Sequence, residues 1–117
     1  MLKIISKKNF KKEVVENTGL SLVQFKTEWS GVCHIIEPVY IDLVHTYSNL
    51  ANFYTVDVEE EAGLEKEYGV REIPTILFFQ SGKIVDHTIG LTSKNELVTK
   101  IENALNGKAP DTESEGE

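Results

Sequence analysis

The amino-acid sequence predicts an α/β sandwich with a mixed central sheet, and three observations lead there. Strand-type and helix-type hydrophobic periodicities alternate along the chain. One apolar run, Leu20 to Phe25, is too short for a helix and suits a central strand buried on both faces. The last two strand-like runs are joined by the two-residue turn Ser81-Gly82, so they must be antiparallel, whereas the earlier ones are separated by helices and fit parallel crossovers.

Each element has a local cause. Leu2 to Ile5 reads as a short first strand. Ser6 is placed to cap a helix running to about Glu16, with Phe10, Val14 and Val15 on its buried side. After the Leu20–Phe25 strand, a long helix is expected from Val32 to Tyr47. Its apolar face would comprise Ile35, Ile36, Val39, Tyr40, Leu43, Val44 and Tyr47. Pro38 inside it removes one amide donor and should kink it. Phe53 to Val58 reads as the next strand. Glu59, Glu60 and Glu61 are expected to open a short helix at its positive end, which carries Leu64 and Tyr68 and stops at Gly69. Thr75 to Phe79 and Lys83 to Ile89 form the hairpin. Ser93-Lys94-Asn95-Glu96 is a capping box that opens a last helix with Leu97, Val98, Ile101, Ala104 and Leu105 inward, ended by Gly107. The order is βαβαβαββα.

Composition narrows the function. The chain has 117 residues with 12 Lys+Arg, 19 Asp+Glu and a net charge of −7. One domain is expected at that length, with boundaries 1–105. Residues 106–117 carry four acids and one lysine and almost nothing to bury. They read as an acidic, disordered, solubilising tail, with a docking peptide as the lesser reading. The negative charge argues against nucleic acid or an anionic membrane as principal partner. No apolar run approaches the ~20 residues of a membrane span, and no signal-peptide pattern follows Met1, so a cytoplasmic, monomeric protein is expected. By contrast, five lysines and no acid lie between Lys3 and Lys12.

The stretch from Glu28 to His34 lies where a buried strand meets a long helix, a common place for sites. Ser30 can cap that helix and Cys33, the single cysteine, lies in its first turn. The helix dipole and a protonated His34 would favour a thiolate there, and burial would oppose both. Ser30 as a hydrolytic nucleophile with His34 as base lacks an acidic orienter. Cys33, His34, His45 and His87 show no zinc spacing, so no metal and no cofactor are expected.

Trp29-Ser30-Gly31-Val32-Cys33 resembles the active-site motif of the thioredoxin family, Trp-Cys-Gly-Pro-Cys. Serine replaces its first cysteine and valine its proline. Phe25 and Glu28-Trp29 resemble the segment before the motif, Pro38 the proline of its helix, and Tyr68 to Thr75 the segment with the family's cis-proline. Gly82 and Gly90 resemble its later glycines. The similarity spans roughly residues 5–105 and implies a thioredoxin-like three-layer sandwich. It also implies thiol redox homeostasis, acting on protein or peptide thiols and disulfides, with thioredoxin reductase a possible partner. By the same resemblance Trp29, Gly31, Val32, Ile73, Pro74 and Gly90, with Leu91, would form a groove for an extended polypeptide. A cis Ile73–Pro74 bond would present the Ile73 backbone there.

The departures from the family pattern bear on activity. Ser30 stands at the nucleophile's position, and a serine hydroxyl does not exchange with a disulfide. Cys33 holds only the resolving position, so the chain as written is at most monothiol. Gln24 stands where the family usually keeps a buried proton-relaying aspartate, and Thr55 where that acid's lysine partner is usual; an amide cannot act as the base. Lys26 replaces a common aromatic. Two alternatives stay open at this point. If Ser30 is an introduced replacement of cysteine, an ordinary disulfide reductase results. In the second, the same groove serves a redox-inactive peptide- or protein-binding module without thiol chemistry.

Overall fold

The computed structural model describes residues 2–108, and no helix in it is long and apolar enough to cross a membrane. The elements are β1 (Leu2–Ile4), α1 (Lys7–Phe10) continued by a π-helical turn (Lys11–Val15), β2 (Leu20–Lys26), α2 (Gly31–Tyr47), β3 (Asn52–Asp57), α3 (Leu64–Glu67), β4 (Thr75–Gln80), β5 (Lys83–Ile89) and α4 (Lys94–Leu105). The sheet runs β1-β3-β2-β4-β5. β1, β3 and β2 are mutually parallel, while β4 runs antiparallel to β2 and β5 antiparallel to β4. This is the mixed α/β sandwich expected from the crossovers and the hairpin.

β2 sits at the centre because its residues are buried on both faces, Leu20 through Phe25 without exception. Leu20 and Leu22 join Phe53, Ile76 and Phe78 under α2 and α4, whereas Val23 and Phe25 join Val56, Leu77 and Phe79 under α1 and α3. Helix α2 is seated by Tyr40, which is fully buried and whose hydroxyl lies 3.1 Å from the Leu22 carbonyl and 2.8 Å from that of Tyr54. One side chain thereby ties α2 to two adjacent strands. Burial pushes the Tyr40 phenol well above its ordinary pKa. Pro38 lies inside α2, which runs unbroken around it.

Ser93 caps α4, its Oγ accepting the Glu96 N–H at 3.1 Å, which is one half of the expected capping box. The Ser81-Gly82 turn has positive φ at both residues, 52° and 79°, the geometry that a two-residue hairpin requires. A side chain at Gly82 would place its Cβ 2.4 Å from the Val15 carbonyl oxygen, so the hairpin abuts the end of the π turn.

Three expectations are corrected. The first helix is not regular to Glu16: after Phe10 it widens, and the Glu16 N–H bonds to the Lys11 carbonyl, five residues back. Val14 is fully buried there and Val15 only half-buried. Glu59, Glu60 and Glu61 do not open α3, which starts at Leu64. They lie in turns in which the Asp57 carbonyl accepts from the Glu60 and Glu61 N–H groups. Ile35 is 59% exposed rather than inward, because the buried stripe of α2 runs through Cys33, Ile36, Tyr40, Leu43, Val44 and Tyr47. Of the expected acidic tail, residues 109–117 lie outside the described residues.

Tyr40→Phe should leave the packing of α2 in place and lower stability by about 1–2 kcal/mol, the cost of unpairing a buried hydrogen bond. Urea denaturation followed by circular dichroism checks this.

Candidate functional site

Ser30 caps α2 as its position predicts. Its backbone is extended, and its Oγ accepts the Cys33 N–H at 3.2 Å. That hydrogen bond draws the first turn of α2 around the serine and sets Cys33 inward, 3% exposed. Trp29 lies on the opposite side of the cap in environment as well as sequence, at 85% exposed. Gly31 has open space around it, so no steric need demands glycine there.

Cys33 faces a small pocket of about 170 Å³ whose other walls are Lys26, Thr27, Glu28, His34 and Glu37. Lys26 Nζ and Glu28 Oε2 are 2.6 Å apart, and this hydrogen-bonded pair shifts both groups. The Glu28 carboxylate holds the Lys26 ammonium above its usual pKa, against a smaller opposing effect of burial. The Lys26 ammonium in turn pulls Glu28 below the usual carboxylate value. The depressed Glu28 pKa makes the pair stabilising above the ordinary carboxylate range, with loss as pH falls through the folded value. The raised Lys26 pKa sets the opposite limit, with loss as pH rises through it.

His34 Nε2 lies 2.8 Å from the Glu28 carbonyl oxygen. The ring is thereby turned toward the loop before the helix, and Ser30 Oγ is occupied by the Cys33 N–H, so the two do not form a nucleophile and base. Pro74 is buried, its peptide bond with Ile73 is cis, and its carbonyl accepts the Gly90 N–H at 2.7 Å. Ile73 is partly buried, while Leu91 beyond Gly90 is 66% exposed. The structure therefore joins Pro74 to Gly90 directly, and separately encloses Cys33 with the charged wall from Lys26 to Glu37.

Sequence reasoning missed that wall as a unit. Glu37 stands one turn beyond Cys33 on α2, and this i, i+4 relation is the signal that would have found it.

Gln24 is fully buried on β2, opposite Thr55 on β3 and Ile76 on β4. Thr55 Oγ1 lies 3.4 Å from Gln24 Oε1, a long hydrogen bond, and Gln24 Nε2 has no partner among the described residues. Both residues are neutral and uncharged side by side, so no buried charge is left to compensate.

The whole of this framework matches known proteins. The family model described as Thioredoxin matches residues 1–103. A protein named Thioredoxin from Chlorobaculum thiosulfatiphilum is 35% identical over 95 residues, 81% of this chain and 88% of that one. Thioredoxin from Rickettsia felis is 33% identical over 101 residues, 86% of this chain and 96% of that one. A chloroplastic M-type thioredoxin of Spinacia oleracea is also 33% identical over 101 residues, 86% of this chain and 56% of its own length.

The neutral Gln24–Thr55 pair makes a pH-dependent expectation. Gln24→Asp buries a carboxyl whose folded pKa must rise above its unfolded value near ~3.9. Its penalty is therefore absent in acid and grows by about 1.4 kcal/mol per pH unit between the unfolded and folded values. Stability measured from pH 4 to pH 8 should fall for Gln24→Asp, and adding Thr55→Lys should recover part of the loss.

Proposed function

The chain belongs to the thioredoxin family, and from that premise we propose that it is a thiol redox protein limited to monothiol chemistry at Cys33. The observation that carries this reading is the cap of α2: Ser30, whose hydroxyl accepts the Cys33 N–H at 3.2 Å, holds the position of the family's nucleophile. Residues 1–105 are the working domain in this reading.

The chemistry open to Cys33 follows from one sulfur. Its thiolate attacks one sulfur of a partner disulfide, forming a mixed disulfide; the partner's S–S bond breaks and the other sulfur leaves as thiolate with the bonding pair. An outside thiol then has to release the adduct, because Ser30 cannot attack it. Cys33 is buried, so a partner must reach it through the Lys26–Glu37 pocket or by displacing the first turn of α2.

Trp29, Gly31, Val32, Ile73, Pro74 and Gly90 form the polypeptide-binding surface in this proposal, and the exposure of Trp29 and Leu91 supports it, because large apolar side chains left in water commonly mark binding sites. Substrates are protein or peptide thiols and disulfides, and thioredoxin reductase is a candidate electron donor. The protein is taken to act as a cytoplasmic monomer. The bacterial thioredoxins among its relatives support that placement.

Reduction of insulin disulfides by dithiothreitol tests the reading, run on the chain and on Ser30→Cys side by side. The chain should give no acceleration over the reductant alone, and Ser30→Cys should accelerate the reaction. Catalysis by the unchanged chain would overturn the assignment of Ser30 as the missing nucleophile. A silent Ser30→Cys form would mean that the scaffold no longer supports disulfide reduction at all.

A further inference from the structure

The pocket beside Cys33 carries a charge balance that plays no part in the exchange step itself. The cavity of about 170 Å³ lies against a cysteine that is only 3% exposed, and its other walls are Lys26, Thr27, Glu28, His34 and Glu37. A disulfide that reaches the sulfur by this route brings whatever is attached to its own sulfurs into the same space. The wall charges then act on that group at short range, with less water between them than on open surface.

One ammonium faces three carboxylates here. Lys26 Nζ lies 2.6 Å from Glu28 Oε2, and that pair is neutral as a unit. Glu37 and Asp57, at the end of β3, also act on the Lys26 ammonium. Asp57 stands behind the walls, its Oδ1 accepting the Glu59 N–H at 2.8 Å. His34 is held at the Glu28 carbonyl, 2.8 Å from Nε2. Glu37 is half-buried, and it belongs to none of the ion pairs among the described residues. It is therefore the uncompensated charge on the wall. It follows Cys33 by one helical turn, a spacing of ~6 Å between neighbours.

We propose that Glu37 sets the preference of Cys33 for disulfides that carry positive charge close to the sulfur, as in a peptide with lysine or arginine beside its half-cystine. The proposal rests on the monothiol reading given above. The Cys33 thiolate attacks one sulfur of the cationic disulfide, the S–S bond breaks, and the other half leaves as thiolate with the bonding pair. The wall charge acts on the encounter, so it raises the rate of adduct formation and salt weakens it.

Three small disulfides with two-carbon arms test this on the full chain: cystamine, which is cationic, the neutral hydroxyethyl disulfide, and the anionic dithiodipropionate. The reactions run at pH 8, above the ordinary histidine pKa near ~6.5. Intact mass follows adduct formation at Cys33, and each rate is divided by that of N-acetylcysteine amide with the same disulfide, which removes intrinsic reactivity. At low salt cystamine should lead and dithiodipropionate trail, the two differing on the order of tenfold. The gap should close at about 0.5 M salt. Glu37→Gln should narrow it several-fold and Glu37→Lys should reverse the order, with circular dichroism showing the fold retained. Equal normalised rates, an anionic preference in the unchanged chain, or a gap that survives Glu37→Gln would each overturn the proposal and leave the monothiol reading in place. No adduct from any of the three, with adducts formed once urea unfolds the chain, would remove the monothiol reading and this proposal with it.

Discussion

The seating of α2 on the central strands is the constraint from which the rest of the molecule follows. Tyr40 reaches across to the carbonyls of Leu22 and Tyr54, one on each of two neighbouring parallel strands. A phenol has one hydrogen to donate, so the two bonds share it. The helix is thereby fixed against both strands at mid-length. Its N-terminal turn then falls where β2 ends, with Ser30 and Cys33 beside the Thr27–Trp29 loop. A shift of α2 along the sheet would move the cap, the thiol and the Lys26–Glu37 wall together.

The interior beneath that turn is neutral. Gln24 and Thr55 face each other across β2 and β3 through one long hydrogen bond, and neither carries charge. A buried acid and its partner cation need each other, since either alone is costly to hold in a low-dielectric interior. A neutral pair has no such mutual requirement and leaves a single orphaned amide hydrogen-bonding group at Gln24. The charges near the candidate site lie at its rim, where Lys26 and Glu28 pair in contact with water.

Much of this was legible in the sequence because local chemistry and long-range packing agree. The unbroken burial of Leu20–Phe25, the positive-φ Ser81-Gly82 turn and the Ser93 N-cap each have a short-range cause that the fold preserves. The motif from Trp29 to Cys33 is what points to the candidate site. Three features were hidden. The π turn depends on the burial of Val14 against the sheet and on the close approach of the hairpin to Val15, both non-local. The acids Glu59–Glu61 have good helix-start chemistry, yet Asp57 captures their backbone in a turn first. The pocket beside Cys33 assembles residues from a strand, a loop and a helix, and only Glu37 lies at a spacing that sequence alone would pair with the cysteine.

The solitary sulfur has a kinetic consequence. In a two-thiol site the second sulfur is held beside the first, and well-oriented groups in one molecule react as though present at effective molarities of about 10⁵ M or more. This chain has one cysteine in all, so every disulfide it forms is to another molecule. Release of such an adduct is second order, and its rate follows the concentration of thiols in the surroundings. The lifetime of the adduct is therefore set by the medium rather than by the protein. Under the monothiol function proposed above, Cys33 in a thiol-poor medium holds a captured partner instead of turning it over.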